Sequence, residues 1–461
     1  MNTKMASSKE SLSVINMETL NMSSTAQLTD KKSVNGDEYN PFEHRNVEHP
    51  TSDMGTMVHL LKSSLGTGVL AMPLAFKNGG VIFGSLGTAI VGLICTHCVY
   101  ILVQSSQDLC RRQKVPSLGF SETAEAAFMS GPPGLQKFST AGRKFVNGAL
   151  LATYYSALCV YVVFVASSIK QVGDYYMDYK DPLDVRVYIP MLLVFLIPLG
   201  LIRDLKYLVP FSAIANVFIL VSFSITLYYV FNGTLDVEDK NYIARAEQLP
   251  LFFATVIFAM EGIGVVMPLE NSMKNPRHFI GKVGILNIAM FIVVLLYGVI
   301  GLFGYLKYGD AVEGSITLNL PDSDIPAQVV KVLYAVAILF SYGLQFYIPT
   351  SIAWPDIEQR IPKGYENIAQ TAFRIGTIIC TVAIAVAVPN LGPIISLVGA
   401  ICFSTLGLFC PAVIETVTYW ETGLGWRLWK NLIIIVFAML ALITGSYASI
   451  LEIIHEYSKS E

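Results

Sequence analysis

Charge is what this chain has least of. Only 14% of its 461 residues are Asp, Glu, Lys or Arg, against roughly 25% in an ordinary soluble protein. With 53% hydrophobic residues and a mean hydropathy of +0.55, that scarcity excludes a soluble globule and a disordered chain alike. A net charge of −3 and a pI near 6.1 give no general pull on polyanions, so no nucleic-acid partner is expected. Histidine is also scarce, with six in all. No H-E-x-x-H, G-x-S-x-G or G-x-x-x-x-G-K run is present, which leaves a polytopic membrane enzyme as a remote alternative without a catalytic constellation. The first fifty residues have neither a basic nor an apolar leader region, so no cleavable signal is expected. The seven cysteines lie in apolar runs or near one face, which predicts no outer disulfide. Cys95-Thr-His97-Cys98 offers three ligands without a fourth, and packing explains it better than metal. No cofactor is expected.

What the chain has is long apolar runs. Stretches of about 20 residues, enough to cross a bilayer, run over 55–76, 81–104, 145–169, 187–202, 207–231, 249–269, 283–306, 327–353, 368–388, 391–414 and 432–454. This predicts an all-α polytopic membrane protein of eleven transmembrane helices, because hydrocarbon cannot satisfy open backbone groups. Lys and Arg concentrate in the loops after even-numbered spans, led by Arg111, Arg112, Lys114, Lys137, Arg143 and Lys144. The positive-inside rule then makes the amino terminus cytoplasmic and the carboxyl terminus non-cytoplasmic. Asn232-Gly-Thr234 is a glycosylation sequon in a loop this topology puts outside. Residues 1–52 are polar and expected to be a disordered cytoplasmic tail. Within them, Tyr39-Asn-Pro-Phe42 fits the tyrosine pattern read by sorting adaptors.

Two spans carry matching interruptions. Gly66-Thr-Gly68-Val69 precedes Met72-Pro73-Leu74, and Gly262-Ile-Gly264-Val265 precedes Met267-Pro268-Leu269. Helix packing through small residues would account for one such element. Two at equivalent positions predict discontinuous helices 1 and 6 and a five-plus-five inverted repeat, covering 53–248 and 249–416, with an eleventh helix and short tail over 417–461. Free amides at Gly68 and Val69 suit a substrate carboxylate. Carbonyls near Ser64 and Leu65 face the same gap, and those near Phe258 and Ala259 suit an ammonium group. A zwitterion fits the pair.

These residues carry a family resemblance. His59-Leu-Leu-Lys-Ser-Ser-Leu-Gly-Thr-Gly68, Ala71-Met-Pro-Leu-Ala75, Phe258-Ala-Met-Glu-Gly-Ile-Gly264 and Met267-Pro-Leu-Glu-Asn271 resemble the proton-coupled amino acid transporter family, within the amino acid and auxin permease group. The resemblance runs from about Asp53 to the end of the last span. It implies a LeuT-type fold and secondary active transport of small neutral amino acids toward the cytosol with protons. The cargo would be alanine or glycine, with serine and proline as further candidates, in a lysosomal or late-endosomal membrane, the plasma membrane, or both. A pH-independent facilitator or nutrient-sensing permease of the same fold is the alternative.

Of the 34 acidic residues, Glu261 alone falls deep in a span, beside the second interruption, and intramembrane acids are functional candidates by default. It is a candidate for proton coupling, with capping of unwound backbone as the plainer reading. His59 lies seven residues before Gly66, roughly 10 Å along the helix. Its titration range suits coupling, and the resemblance implies a required histidine there. Gly66, Thr67 and Gly262 line the interruptions, Tyr154, Tyr155, Gln345 and Phe346 are candidates for the pocket wall, and Met260 with Phe258 would limit side-chain room. Lys62 is expected to reach for the interface.

Overall fold

In an apolar medium the backbone can pair only with itself, and the architecture follows. The computed structural model describes residues 39–47, 50–64, 66–177, 183–232, 235, 240–260, 262–281 and 283–460. Among them the chain is all helix apart from loops, turns and one isolated bridge between Thr51 and Met273.

The helices are α1 (Asp53–Ser64), α2 (Thr67–Gly79), α3 (Val81–Gln113), α4 (Phe120–Met129), α5 (Pro133–Gln136), α6 (Ser139–Met177), α7 (Val185–Met191), α8 (Leu193–Leu201) and α9 (Leu205–Phe231). They continue as α10 (Leu249–Ala259), α11 (Ile263–Asn271), α12 (Ile285–Tyr308), α13 (Ile325–Glu358), α14 (Glu366–Ala387), α15 (Leu391–Val398), α16 (Cys410–Thr418) and α17 (Gly425–Ser460). A π-helical stretch, Gly399–Phe409, joins α15 to α16.

Nine stretches among the described residues are long and apolar enough to cross a bilayer, taking 249–271 and 391–418 each as one. Two of the eleven expected runs fall short of that length. The first is divided between α1 and α2, of 12 and 13 residues. The fourth is divided at Leu192, between α7 with Pro190 and α8 with Pro198, where proline withdraws a backbone donor. The amphipathic α4 was not foreseen; Glu122 reaches back to the Gly119 amide as half of a capping box.

Helix α2 is buried almost all round, with Val69 to Phe76 at most 8% exposed, and packs on α10 and α12. A helix apolar on every side belongs at a centre. At the periphery, α9 exposes Val217 and Leu220, and α17 exposes Ile433 and Ile443, each more than half. Such surfaces fit lipid rather than water.

The ends of the bundle are fixed by polar contacts. At the end where residues 39–47 lie, here the tail end, Arg112 donates to the Thr418 carbonyl at 2.8 Å. Tyr419 donates to Asp108 and is flanked by Arg112 and Arg427. Burial first, then the Asp108 carboxylate, holds its phenol well above the ordinary range. At the far end Lys307 donates to the Asn232 carbonyl at 2.7 Å.

The expectation of disorder up to residue 52 is at odds with residues 39–47. Pro41–His44 form a 3-10 turn, and the Arg45 guanidinium pairs with Glu270, the two side chains being 5% and 1% exposed. A buried carboxylate without a cation would be costly, and Arg45 supplies that cation; residues 1–38, 48 and 49 of the expected tail lie outside the described residues.

At the join of α15 and the π-helical stretch the backbone approach is closest. A β-carbon on Gly399 would come 2.0 Å from the Ala254 carbonyl oxygen, whereas Gly407 has nothing within 4 Å. Overpacking of this kind costs about 1–3 kcal/mol. Gly399→Ala is therefore expected to lower the melting temperature of the detergent-solubilised protein clearly, and Gly407→Ala to leave it unchanged or raise it. Equal melting of the two variants would contradict the packing described.

Candidate functional site

The site grows out of the two places where paired helices stop. Helix α1 ends at Ser64 and α2 begins at Thr67, with Gly66 at its N-cap position at φ −94°, ψ −149°, where a glycine has no side chain to cap the start of α2. Helix α10 ends at Ala259, and α11 begins after Gly262, again without a side-chain cap. Gly68 lies directly on the end of α10: a β-carbon there would sit 2.8 Å from the Ala259 α-carbon. The amide-rich start of one helix therefore meets the carbonyl-rich end of another. The first attracts anions and the second cations, each over about one turn.

A cavity of about 70 Å³ opens at this junction. Its wall includes Ser63, Ser64, Thr67, Thr153, Tyr154, Tyr161 and Gln345 among polar residues, and Phe258, Val265, Phe403 and Leu406 among apolar ones. One water needs about 10–15 Å³ on a comparable measure, so the space suits a handful of atoms. Phe258 and Phe403 meet edge to face, with centroids 5.6 Å apart, and close one side with an apolar wall.

The polar groups differ in what they have left to offer. Ser63 and Ser64 both donate their hydroxyls to the Leu60 carbonyl, at 2.7 and 3.1 Å, and Thr153 donates to Ala149 at 2.7 Å. Their protons are spent within their own helices. Gln345 Oε1 is buried and accepts no hydrogen bond from the described residues, and a buried acceptor left open costs about 1–3 kcal/mol. Tyr154 is held against α11: a β-carbon on Gly264 would come 2.7 Å from its hydroxyl oxygen. Tyr297, fully buried on α12, donates its hydroxyl to the Ser64 carbonyl.

Of the residues expected at the site, Ser64, Gly66, Thr67, Gly68, Tyr154, Phe258, Ala259, Gly262 and Gln345 meet around this cavity. Val69 is fully buried in the core and outside the lining, and Met260 is 7% exposed and also outside it. Tyr155 and Phe346 lie off the cavity, edge to face with each other at 6.3 Å. Leu65 and Glu261 lie outside the described residues. His59 is half-buried on α1 and not in the wall. Lys62 donates to Ser212 at 3.4 Å. Asn232 is exposed at the end of α9, and Gly233 and Thr234 lie outside the described residues. The Ser64 carbonyl, expected to face the gap, is taken by Tyr297.

Sequence reasoning missed Ser63, Thr153, Tyr161, Phe403 and Leu406 in the wall, and named Gly264 and Val265 only as part of the second interruption. Tyr161 carried a usable signal, being seven residues after Tyr154 and so on the same helix face. Phe403 and Leu406 carried none, because a π-helical stretch does not follow the 3.6-residue period.

The model of the family described as transmembrane amino acid transporter protein matches residues 49–451. The proton-coupled amino acid transporter-like protein pathetic of Drosophila melanogaster is 42% identical over 429 residues, 92% of this chain and 90% of that protein. Vacuolar amino acid transporter 4 of Saccharomyces cerevisiae is 31% identical over 304 residues, 64% of this chain and 40% of the yeast protein. Among solved structures, the nucleobase-cation-symport-1 family transporter MHP1, in a closed conformation with bromovinylhydantoin bound, aligns over 93% of this chain and 97% of its own. That likeness has a TM-score of 0.47 at 13% identity.

Removing the Tyr297 hydroxyl leaves the Ser64 carbonyl without its donor. Tyr297→Phe is expected to destabilise the protein by about 1–3 kcal/mol and to speed hydrogen exchange in the last turn of α1. Unchanged melting and exchange would show that this bond does not hold the end of α1.

Proposed function

The chain belongs to the transmembrane amino acid transporter family, and we propose that within it the protein moves small neutral amino acids toward the cytosol, coupled to protons. It is a membrane transporter and not an enzyme, as its relatives are named. One observation carries the cargo: the start of α2, preceded by a glycine, and the end of α10 meet at a small cavity that also holds Gln345 Oε1, an acceptor without a donor among the described residues. In this reading the amides of Thr67 and Gly68, both in the cavity wall, receive the substrate carboxylate. The carbonyls at the end of α10 and Gln345 Oε1 receive the ammonium group. The Phe258 and Phe403 rings leave room for the side chains of alanine, glycine, serine or proline and little more.

The reading extends to topology. Helices α1 with α2, and α10 with α11, are each one interrupted span of an eleven-span LeuT-type chain, the two five-helix halves being inverted and the amino terminus cytoplasmic. Alternating access is then a movement of one half against the other around the cavity. Glu261, beside the second interruption, and His59, roughly 10 Å from the first, carry the protons. The yeast relative's name refers to a vacuole, which favours a lysosomal or late-endosomal membrane over the plasma membrane. Tyr39-Asn-Pro-Phe42 is the candidate contact for sorting adaptors.

Uptake of labelled alanine and glycine into proteoliposomes at pH 5.5 and 7.5 tests this. Accumulation driven by an inward proton gradient is expected, with pH dependence flattened in Glu261→Gln or His59→Ala. Entry that ignores the gradient would favour the facilitator, and no entry under any gradient would sink the reading. Gln345→Leu should raise KM for alanine about tenfold, the equivalent of one lost hydrogen bond of about 1.4 kcal/mol, with less effect on kcat; an unchanged KM would remove Gln345 from the site.

A further inference from the structure

Sorting signals of the tyrosine type are read as extended peptides, and the one in this chain is not extended. Residues Pro41–His44 are wound into a 3-10 turn, closed by Asn40, whose side chain accepts from the Phe42 amide at 3.3 Å. Pro41 is buried. The Phe42 ring is approached by two guanidinium groups, Arg45 at 5.1 Å and Arg277 at 5.5 Å from its centroid. The Tyr39 ring stacks on His44 at 4.6 Å. Every part of the pattern a peptide-binding groove would need is already engaged.

What holds the segment down is one buried ion pair. Arg45 donates from Nη1 and Nη2 to the two carboxylate oxygens of Glu270, at 3.2 and 3.3 Å, and from Nε to the Pro116 carbonyl at 2.9 Å. Gln107 donates to the same carboxylate at 2.8 Å. Glu270 lies in the last turn of α11, so the tail is clamped to the helix that starts at the candidate site. Close by, Thr51 pairs with the turn after α11 through its amide to Ser272 and its carbonyl from Lys274, at 2.8 and 2.9 Å. Asp53, at the start of α1, meets His278 at 2.6 Å. The same strap thus ties the start of α1 to the end of α11.

We propose that residues 39–45 form a latch with two mutually exclusive uses. Docked through Arg45 on Glu270, the segment fastens α11 at the tail end. Released, it presents Tyr39-Asn-Pro-Phe42 as an extended peptide to a soluble protein whose groove takes a tyrosine and, three residues on, a bulky apolar side chain. The inference does not depend on which solute is carried.

Glu270→Gln tests it without touching the peptide, and Arg45→Ala serves as a second variant should the first fail to fold. The probe is a purified tyrosine-motif-binding domain of a clathrin-adaptor medium subunit, offered to the full chain in nanodiscs and to a free peptide of residues 36–44. The free peptide and both variants are expected to bind at least about tenfold more tightly than the wild type. Hydrogen exchange over residues 39–47 should rise in parallel in the variants. Equal binding by wild type and variants would overturn the latch, as would unchanged protection of residues 39–47. Failure of the free peptide to bind would overturn the proposed partner.

Discussion

A polar backbone group left without a partner in an apolar interior costs several kcal/mol, and that constraint governs every place where this chain stops being helical. Where helices end at the surface, loops and charged side chains meet the cost. Where α1, α2, α10 and α11 end against one another, the cost is met in two ways. The Ser64 carbonyl is capped by Tyr297, while the start of α2, preceded by a glycine, and Gln345 Oε1, without a donor among the described residues, border a cavity. A stable protein tolerates such open groups when something else is meant to occupy them.

Steric economy supports the same division. Glycine stands at 68 because the Ala259 backbone is in the way of any larger residue, and at 264 because the Tyr154 hydroxyl is. These contacts bring helix ends close enough for opposite partial charges to face one small volume. Charged side chains, scarce overall, gather at the ends of the bundle. Arg45 and Glu270 form a nearly fully buried pair there, fastening the tail to the helix that leads back to the cavity.

Much of this was legible in the sequence, for identifiable reasons. Apolar runs fix helices because length and hydropathy are local properties, so the positions of most long helices follow directly. The Gly-x-Gly and Met-Pro-Leu pairs pointed to both junctions, since backbone breaks leave a compositional mark. Divided stretches were harder: Leu192 between Pro190 and Pro198 reads as a continuous run. Phe403 and Leu406 reach the cavity through π-helical geometry, and Tyr297 reaches Ser64 across more than two hundred residues, relations no local pattern encodes. Val69 and Met260 were drawn in by adjacency to the breaks, yet their side chains point into packing. Residues 39–47 looked disordered by composition, because composition carries no information about a buried carboxylate waiting at Glu270.

We propose that the junction of α2 and α10 holds an amino acid zwitterion. The most direct measurement is a structure of the protein determined with alanine bound. Density in the cavity is expected, with the carboxylate on the amides of Thr67 and Gly68 and the ammonium within hydrogen-bond distance of the Ala259 region and Gln345 Oε1. Alanine bound with its carboxylate turned away from the start of α2, or bound only elsewhere in the protein, would contradict it.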